Sequence, residues 1–191
     1  MARWDAIRAV SNAMRDVLES ARVGTPFPAI DVTVVQTSDF AALPAEGVTI
    51  YLYRVAIHSS LRNLPARSDG RNRVRPSLPL DLHFLVTPWA KTAGRQHELL
   101  GWLIRALEDQ PVLPTAILNR DGQIFADGET VDVVAQPLTP VDAVAVWEFN
   151  KAIMQPSMTY VARMVLLDSS VPMATPKMVV TRSTQSEGVR P

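Results

Sequence analysis

A β-strand sends its side chains alternately to two faces, so a strand that is apolar at both parities needs cover on both sides. Two stretches of this chain have that property. Val48 to Ile57 places Val48, Ile50, Leu52 and Ala56 at one parity and Tyr51, Tyr53, Val55 and Ile57 at the other. Leu80 to Val86 alternates Leu80, Leu82, Phe84 and Val86 against Asp81, His83 and Leu85. Both are expected as central strands of a sheet. Between them lies a loop that carries Arg62, Arg67, Arg71, Arg73 and Arg75 against one acid, Asp69. The rest of the chain has to be fitted around an apolar strand pair that presents a basic loop.

On the N-terminal side the pattern is helical. Trp4, Ile7, Val10, Met14, Val17, Leu18 and Ala21 recur at three- and four-residue spacing, and Gly24, Pro26 and Pro28 end the run. Ile30, Val32 and Val34 alternate as a short strand. Past the basic loop, Arg95 to Asp109 is a second helix, with Leu99, Leu100, Leu103, Ala106 and Leu107 as its stripe and Pro111 after its end. Gly101 in its middle implies close packing against a strand, since glycine there costs about 1 kcal/mol relative to alanine. Asp121-Gly122 and Asp127-Gly128 predict tight turns between short strands over Ile117 to Val134. Thr139, Pro140 and Asp142 form the start signal of a third helix, to which Val141, Val144, Ala145, Trp147 and Ile153 give an apolar face. Met158 to Leu167 is a last strong strand. The order predicts a mixed α/β (α+β) domain over residues 1–169, with a central mixed sheet of about five strands packed with three helices. Residues 170–191, rich in proline and without periodicity, predict an extended or flexible tail.

The charge pattern carries more than its total. The formal net charge is zero, which gives no global reason to expect nucleic acid or a membrane surface. Yet residues 58–77 hold five arginines and one acid, a net of +4. Residues 115–148 hold Asp121, Asp127, Glu129, Asp132, Asp142 and Glu148 against Arg120 alone, a net of −5. There is no cysteine, which excludes disulfides and thiolate chemistry and is consistent with a reducing cytoplasm. The N-terminus has the charge spacing of a helix rather than of a signal peptide. No apolar run approaches the roughly 20 residues of a membrane span.

Catalytic constellations do not assemble. The eight glycines are scattered singly, so neither a dinucleotide fingerprint nor a P-loop can be written, and no serine sits in a nucleophile elbow. His58, His83 and His97 lack metal-ligand spacing. Asp81 and His83 do share one strand face, which leaves a small-ligand-binding or enzymatic site there as an alternative to a hydrogen-bonded polar strip. The arginine loop admits three readings: a solvated surface loop, a phosphate or nucleic-acid site, and a docking surface. Nucleic acid would call for stacking aromatics that the loop lacks. An acidic protein surface suits the planar fork of arginine. Such a surface exists on the same chain around Asp127, Glu129 and Asp132, and complementary patches on identical chains make head-to-tail contacts that can close into rings.

Five blocks taken together, GVTIYLYRV, SSLRN, RPSLPLDLHFLVT, QHELLGWLIRALEDQPVL and VWEFNKAIMQPSMTYVARMVLLD, resemble the cap or tail-terminator proteins of contractile injection systems, which are phage-tail-like particles with a sheath and an inner tube. The resemblance spans Ala2 to Asp168 and rests on the order of the blocks. It departs from the family where His58 or Ser59 stands in place of an asparagine, and near Phe84, where the family has a tyrosine. It implies a structural protein without cofactor or metal. Such a protein forms a six-fold ring of its own copies, ends the inner tube and anchors the last sheath layer. The implied partners are the chain itself, the tube protein and the sheath protein, with no nucleic acid and no membrane. The chain would be cytoplasmic when made and part of a particle afterwards. Arg62, Arg67, Arg71, Arg73, Arg75, Asp127, Glu129 and Asp132 are the expected interaction residues, and the tail is expected to add a strand to a neighbouring sheet edge.

Overall fold

The computed structural model describes residues 4–27, 29–61, 64–69, 72–148 and 153–173. Among them a mixed sheet and four α-helices form, in the mixed α/β class that the sequence predicts. The strands are β1 (Asp31–Val35), β2 (Gly47–Ile57), β3 (Arg67–Asp69), β4 (Asn72–Val74), β5 (Leu78–Trp89), β6 (Val112–Leu113), β7 (Val131–Ala135) and β8 (Met158–Leu167). The helices are α1 (Ala6–Ala21), α2 (Ala93–Asp109), α3 (Thr115–Leu118) and α4 (Pro140–Val146). Six strands make the main sheet in the order β1-β2-β5-β8-β7-β6, and β3 and β4 pair as a separate hairpin between β2 and β5. β1 runs parallel to β2, and the remaining pairs are antiparallel.

The apolar residues of β2 and β5 explain the sheet's two-sided burial. On one face Val48, Ile50, Leu82, Phe84 and Val86 join Tyr160 and Ala162 of β8 under Val10, Met14 and Leu18 of α1 and Leu99, Leu103 and Leu107 of α2. On the other face Leu85, Trp89, Phe40 and Trp147 form a smaller cluster flanked by Tyr51 and Tyr53. Phe40 meets Tyr51 edge-on at 5.3 Å between ring centres and Trp147 at 6.0 Å, the geometry aromatic quadrupoles favour. Trp89 spends its indole N–H on Thr49 Oγ1 at 2.9 Å, so the buried ring leaves no orphan donor. Gly47 is required by contact. A Cβ there would stand 2.4 Å from the Asp31 carbonyl oxygen, its register partner on β1.

Two β-bulges set which residues face the helices. Leu52 stands opposite Phe84 but Arg54 stands opposite His83, so Tyr53 is an extra residue in β2. Beyond it Val55 faces Leu82 and Ile57 faces Leu80, whereas Ala56 faces Asp81. Strict alternation therefore misassigns this end of the strand: Val55 and Ile57 share the side of Val48 and Ile50, and Ala56 does not. Their cover runs out there, because Val55 and Ile57 are 46% and 50% exposed. The second bulge lies in β8, where Arg163 and Met164 stand in the place of one residue between the Leu82–Ala162 and Leu80–Val165 pairs. Met164 takes a left-handed backbone with φ of +59°. That conformation costs a residue with a Cβ roughly 1 kcal/mol, and the shift keeps Tyr160, Ala162 and Val165 all buried.

The six strands of the main sheet among the described residues agree with the central mixed sheet of about five, and β2 and β5 both stand inside it, between the edge strands β1 and β6. Other expectations are corrected. Ile117 to Val134 holds a one-turn helix, turns at Gly122 and Gly128 with positive φ, and β7, rather than several short strands. Gly101 is exposed and an added Cβ would meet nothing within 4 Å, so close packing does not explain it. Trp4 lies ahead of α1 and is 81% exposed, outside the buried stripe. α4 stops at Val146, and its expected apolar face is divided: Trp147, just past its end, is buried, whereas Val141 is 78% and Val144 46% exposed.

Candidate protein-interaction surface

Folding divides the arginines of the basic loop into two kinds. Arg67 lies opposite Val74 in the β3–β4 pair, and Arg73 lies opposite Ser68. Residues opposite one another share a face, so Arg67 turns inward with the buried Val74, while Arg73 and Arg75 turn outward and are exposed. Arg67 Nη1 donates to Asp168 Oδ1, and the Ser77 hydroxyl donates to the same oxygen at 2.5 Å. The Asp168 side chain is 5% exposed. A buried carboxylate is tolerable only when paired and hydrogen-bonded, and Arg67 is that partner. Arg67 is therefore engaged within its own chain. Arg62 and Arg71 lie outside the described residues.

The chain returns to this hairpin after β8. Arg75 N–H donates to the Val171 carbonyl at 3.1 Å, Met173 N–H donates to the Arg73 carbonyl at 2.7 Å, and Val74 bridges to Pro172 in antiparallel fashion. Residues 171–173 thus run antiparallel along β4 through a single bridge, and their hydrogen bonds fall on the backbones of Arg73 and Arg75. The guanidinium groups of those two residues have no ion-pair or hydrogen-bond partner among the described residues.

The acidic residues are sorted in the same way. Glu129 Oε2 accepts from the Ala126 N–H at 2.7 Å and closes its own turn. Asp121 accepts from Asn12 at 2.8 Å, and Asp142 accepts from the hydroxyl of Thr139 at 2.7 Å at the start of α4. Asp127, in the turn before β7, and Asp132, on β7, are exposed. Asp132 stands opposite Arg163 of β8 in register. Of the three acids expected to meet a partner, Asp127 and Asp132 offer carboxylates outward and Glu129 is committed locally.

Asp81 and His83 share a face of β5, but the carboxylate turns elsewhere. Asp81 Oδ2 lies 2.7 Å from His58 Nδ1, and Asp81 Oδ1 accepts from the Met164 N–H at 3.2 Å. One carboxylate thus joins the end of β2 to the bulge of β8 and holds the strained residue there. Burial, reinforced by Arg54, pushes the His83 imidazole below its ordinary pKa, with Asp81 acting in the opposite sense. His83 is consequently neutral near pH 7 and stands beside the Tyr53 ring at 6.0 Å. The sequence pointed to the wrong histidine: His58 lies 23 residues from Asp81 and carries no local signal of the pairing. Asp168 was missed as well, its only mark being a single acid at the end of an apolar strand. Among the described residues no group of three or more His, Asp or Glu side chains is arranged to hold a metal. An open cleft of about 620 Å³ lies between Tyr51, Tyr53 and Arg54 of β2 and the segment from Gln136 to Val146.

The model of one protein family, the Pvc16 N-terminal domain, matches residues 9–181. Among curated proteins there is no match. Two solved structures share the fold. One is the sheath/tube terminator of an extracellular contractile injection system, PVC, in its extended state. It superposes with a TM-score of 0.63 at 15% identity, over 95% of this chain and 64% of that one. The other is the tube-terminating cap of the anti-feeding prophage, with a TM-score of 0.59 at 14% identity, over 91% of this chain and 60% of that one. At such identities the likeness is one of fold, and the chain spans less than two thirds of the length of either structure.

Proposed function

The chain belongs to the Pvc16 N-terminal domain family, and from that premise we propose that it is a terminator, or cap, of a contractile injection system. Copies of it form a six-fold ring that ends the inner tube and anchors the last layer of sheath. Its partners are other copies of itself, the tube protein and the sheath protein, and its role is structural rather than enzymatic. It is made in the cytoplasm of the producing cell and becomes part of the particle.

The observation that carries this reading is the fold shared over 95% of the chain with a sheath/tube terminator. The surface is consistent with it. Val55, Ile57, Val141 and Val144 leave apolar area exposed at the open end of β2 and on α4, as expected where another protein supplies the cover. Asp81, around which an enzymatic reading would be built, has both oxygens engaged in holding strands together.

Deleting the gene and imaging the particles by negative stain is the direct test. Loss of the terminator should give tubes and sheaths of irregular length, restored by supplying the gene in trans. Particles of normal length and intact sheath without it would overturn the proposal.

A further inference from the structure

The separation of the arginines into one inward and two outward residues locates a contact between copies. We infer that Arg73 and Arg75 form a docking face for the carboxylates of Asp127 and Asp132 on a second copy of the chain, and that the segment at 171–173 sets that face in place. This rests on the terminator reading, in which several copies of the chain form the ring.

Three observations carry it. Arg73 and Arg75 are exposed and lack side-chain partners among the described residues, whereas Arg67 is engaged by Asp168. Their backbones are the ones hydrogen-bonded to the returning segment, which fixes the roots of both side chains. Ordering a flexible basic loop on binding is thereby largely avoided, and preorganisation of this kind raises affinity without new contacts. Charge complementarity identifies the occupant. Residues 58–77 carry a net of +4 and residues 115–148 a net of −5, and within the acidic segment Asp127 and Asp132 remain outward after Asp121, Glu129 and Asp142 have found partners inside their own chain.

The basic face sits at the end of the β2–β5 pair and the acidic one on the turn before β7 and on β7 itself. Two different surfaces that meet give a head-to-tail contact, which closes into a ring when the rotation per copy permits. Arginine suits this contact through bidentate bonding to carboxylates. Asp168, through Arg67 and Ser77, is a positioning residue for the same face.

The full-length chain tests this by sedimentation velocity over a range of protein and salt concentrations. Wild type should self-associate, and raising NaCl from about 0.05 M to about 0.5 M should weaken the association, since exposed charges are screened over a few ångströms at high salt. R73E/R75E and D127R/D132R should each associate at least about tenfold more weakly, and an equimolar mixture of the two should recover association because reversed faces again meet opposite charge. Should either double reversal fail to fold, R73Q/R75Q and D127N/D132N carry the single-sided test. Wild type that stays monomeric, association insensitive to salt, or reversals without effect would each overturn this docking face. None of those results alters particle length in cells, so the terminator reading is decided separately.

Discussion

The two ends of the β2–β5 pair are built from the same strands and held together by different physics. At the near end, Gly47 to Leu52 against Phe84 to Trp89, both faces are covered: Val48, Ile50, Phe84 and Val86 are 0% exposed beneath the helices, and Trp89 and Leu85 are buried in the aromatic cluster. At the far end, Tyr53 to Ile57 against Leu78 to His83, cover is incomplete and charged or polar groups do the joining. Asp81 ties His58 to the bulge of β8, and Asp168 ties Ser77 and Arg67 to the end of β8. The near end gains from apolar burial, which is non-directional and scales with area. The far end depends on a few directional bonds between groups that would be costly to bury alone. An interface is easier to build at the far end, because directional groups can be exchanged with a partner and the uncovered Val55 and Ile57 can still gain burial.

The contrast can be broken first at its apolar end. Phe84→Ala empties a fully buried site and should cost about 3–5 kcal/mol, read as a fall in the urea midpoint with little change in slope; a loss below about 1 kcal/mol would show that the core at this end is not tightly packed. At the polar end the expected loss is smaller but more local. Asp168→Asn removes the charge facing Arg67 and should cost about 1–3 kcal/mol. Faster amide exchange at Arg75 and Met173, whose N–H groups donate across the contact between the hairpin and residues 171–173, should accompany it. Unchanged exchange at those two amides would sever the link between the clamp and the basic face.

The smallest effect sharpens the comparison from inside the near end. Tyr160 lies opposite Phe84 and is 0% exposed, and its hydroxyl has no hydrogen-bond partner among the described residues. Burial raises its pKa from the ordinary 10.0 of a tyrosine to about 12. The folded chain therefore keeps the phenol protonated where the unfolded chain has begun to release it. Stability from this group is fully present below pH ~10 and is lost as pH rises toward about 12. Tyr160→Phe should be neutral to about 1 kcal/mol stabilising at pH 7 and should flatten the alkaline loss seen for wild type. A Phe variant with the same alkaline profile would assign that loss to other groups.

Much of the fold was legible in the residues themselves. The two-parity apolarity of Val48–Ile57 and Leu80–Val86 marked a strand pair buried on both sides, the 3.6-residue stripe of Val10, Met14 and Leu18 marked α1, and Met158–Leu167 was readable as a strand to its ends. Each is a local pattern, and local periodicity is what a linear chain displays directly. The charge asymmetry between residues 58–77 and 115–148 was equally plain.

Tertiary structure decided the rest. The bulge at Tyr53 determined which side Val55, Ile57 and Ala56 occupy, and the one at Arg163–Met164 keeps Tyr160, Ala162 and Val165 all buried, because a strand's register is a property of its neighbours. It also decided that Arg67 is paired within the chain while Arg73 and Arg75 have no side-chain partner among the described residues. Arg67 finds its carboxylate 101 residues away, and no pattern within the loop distinguishes it from its neighbours. Sequence determined which elements form and what charge they carry, since those depend on nearby residues. Which charges remain available to a partner depended on pairings closed across the whole chain.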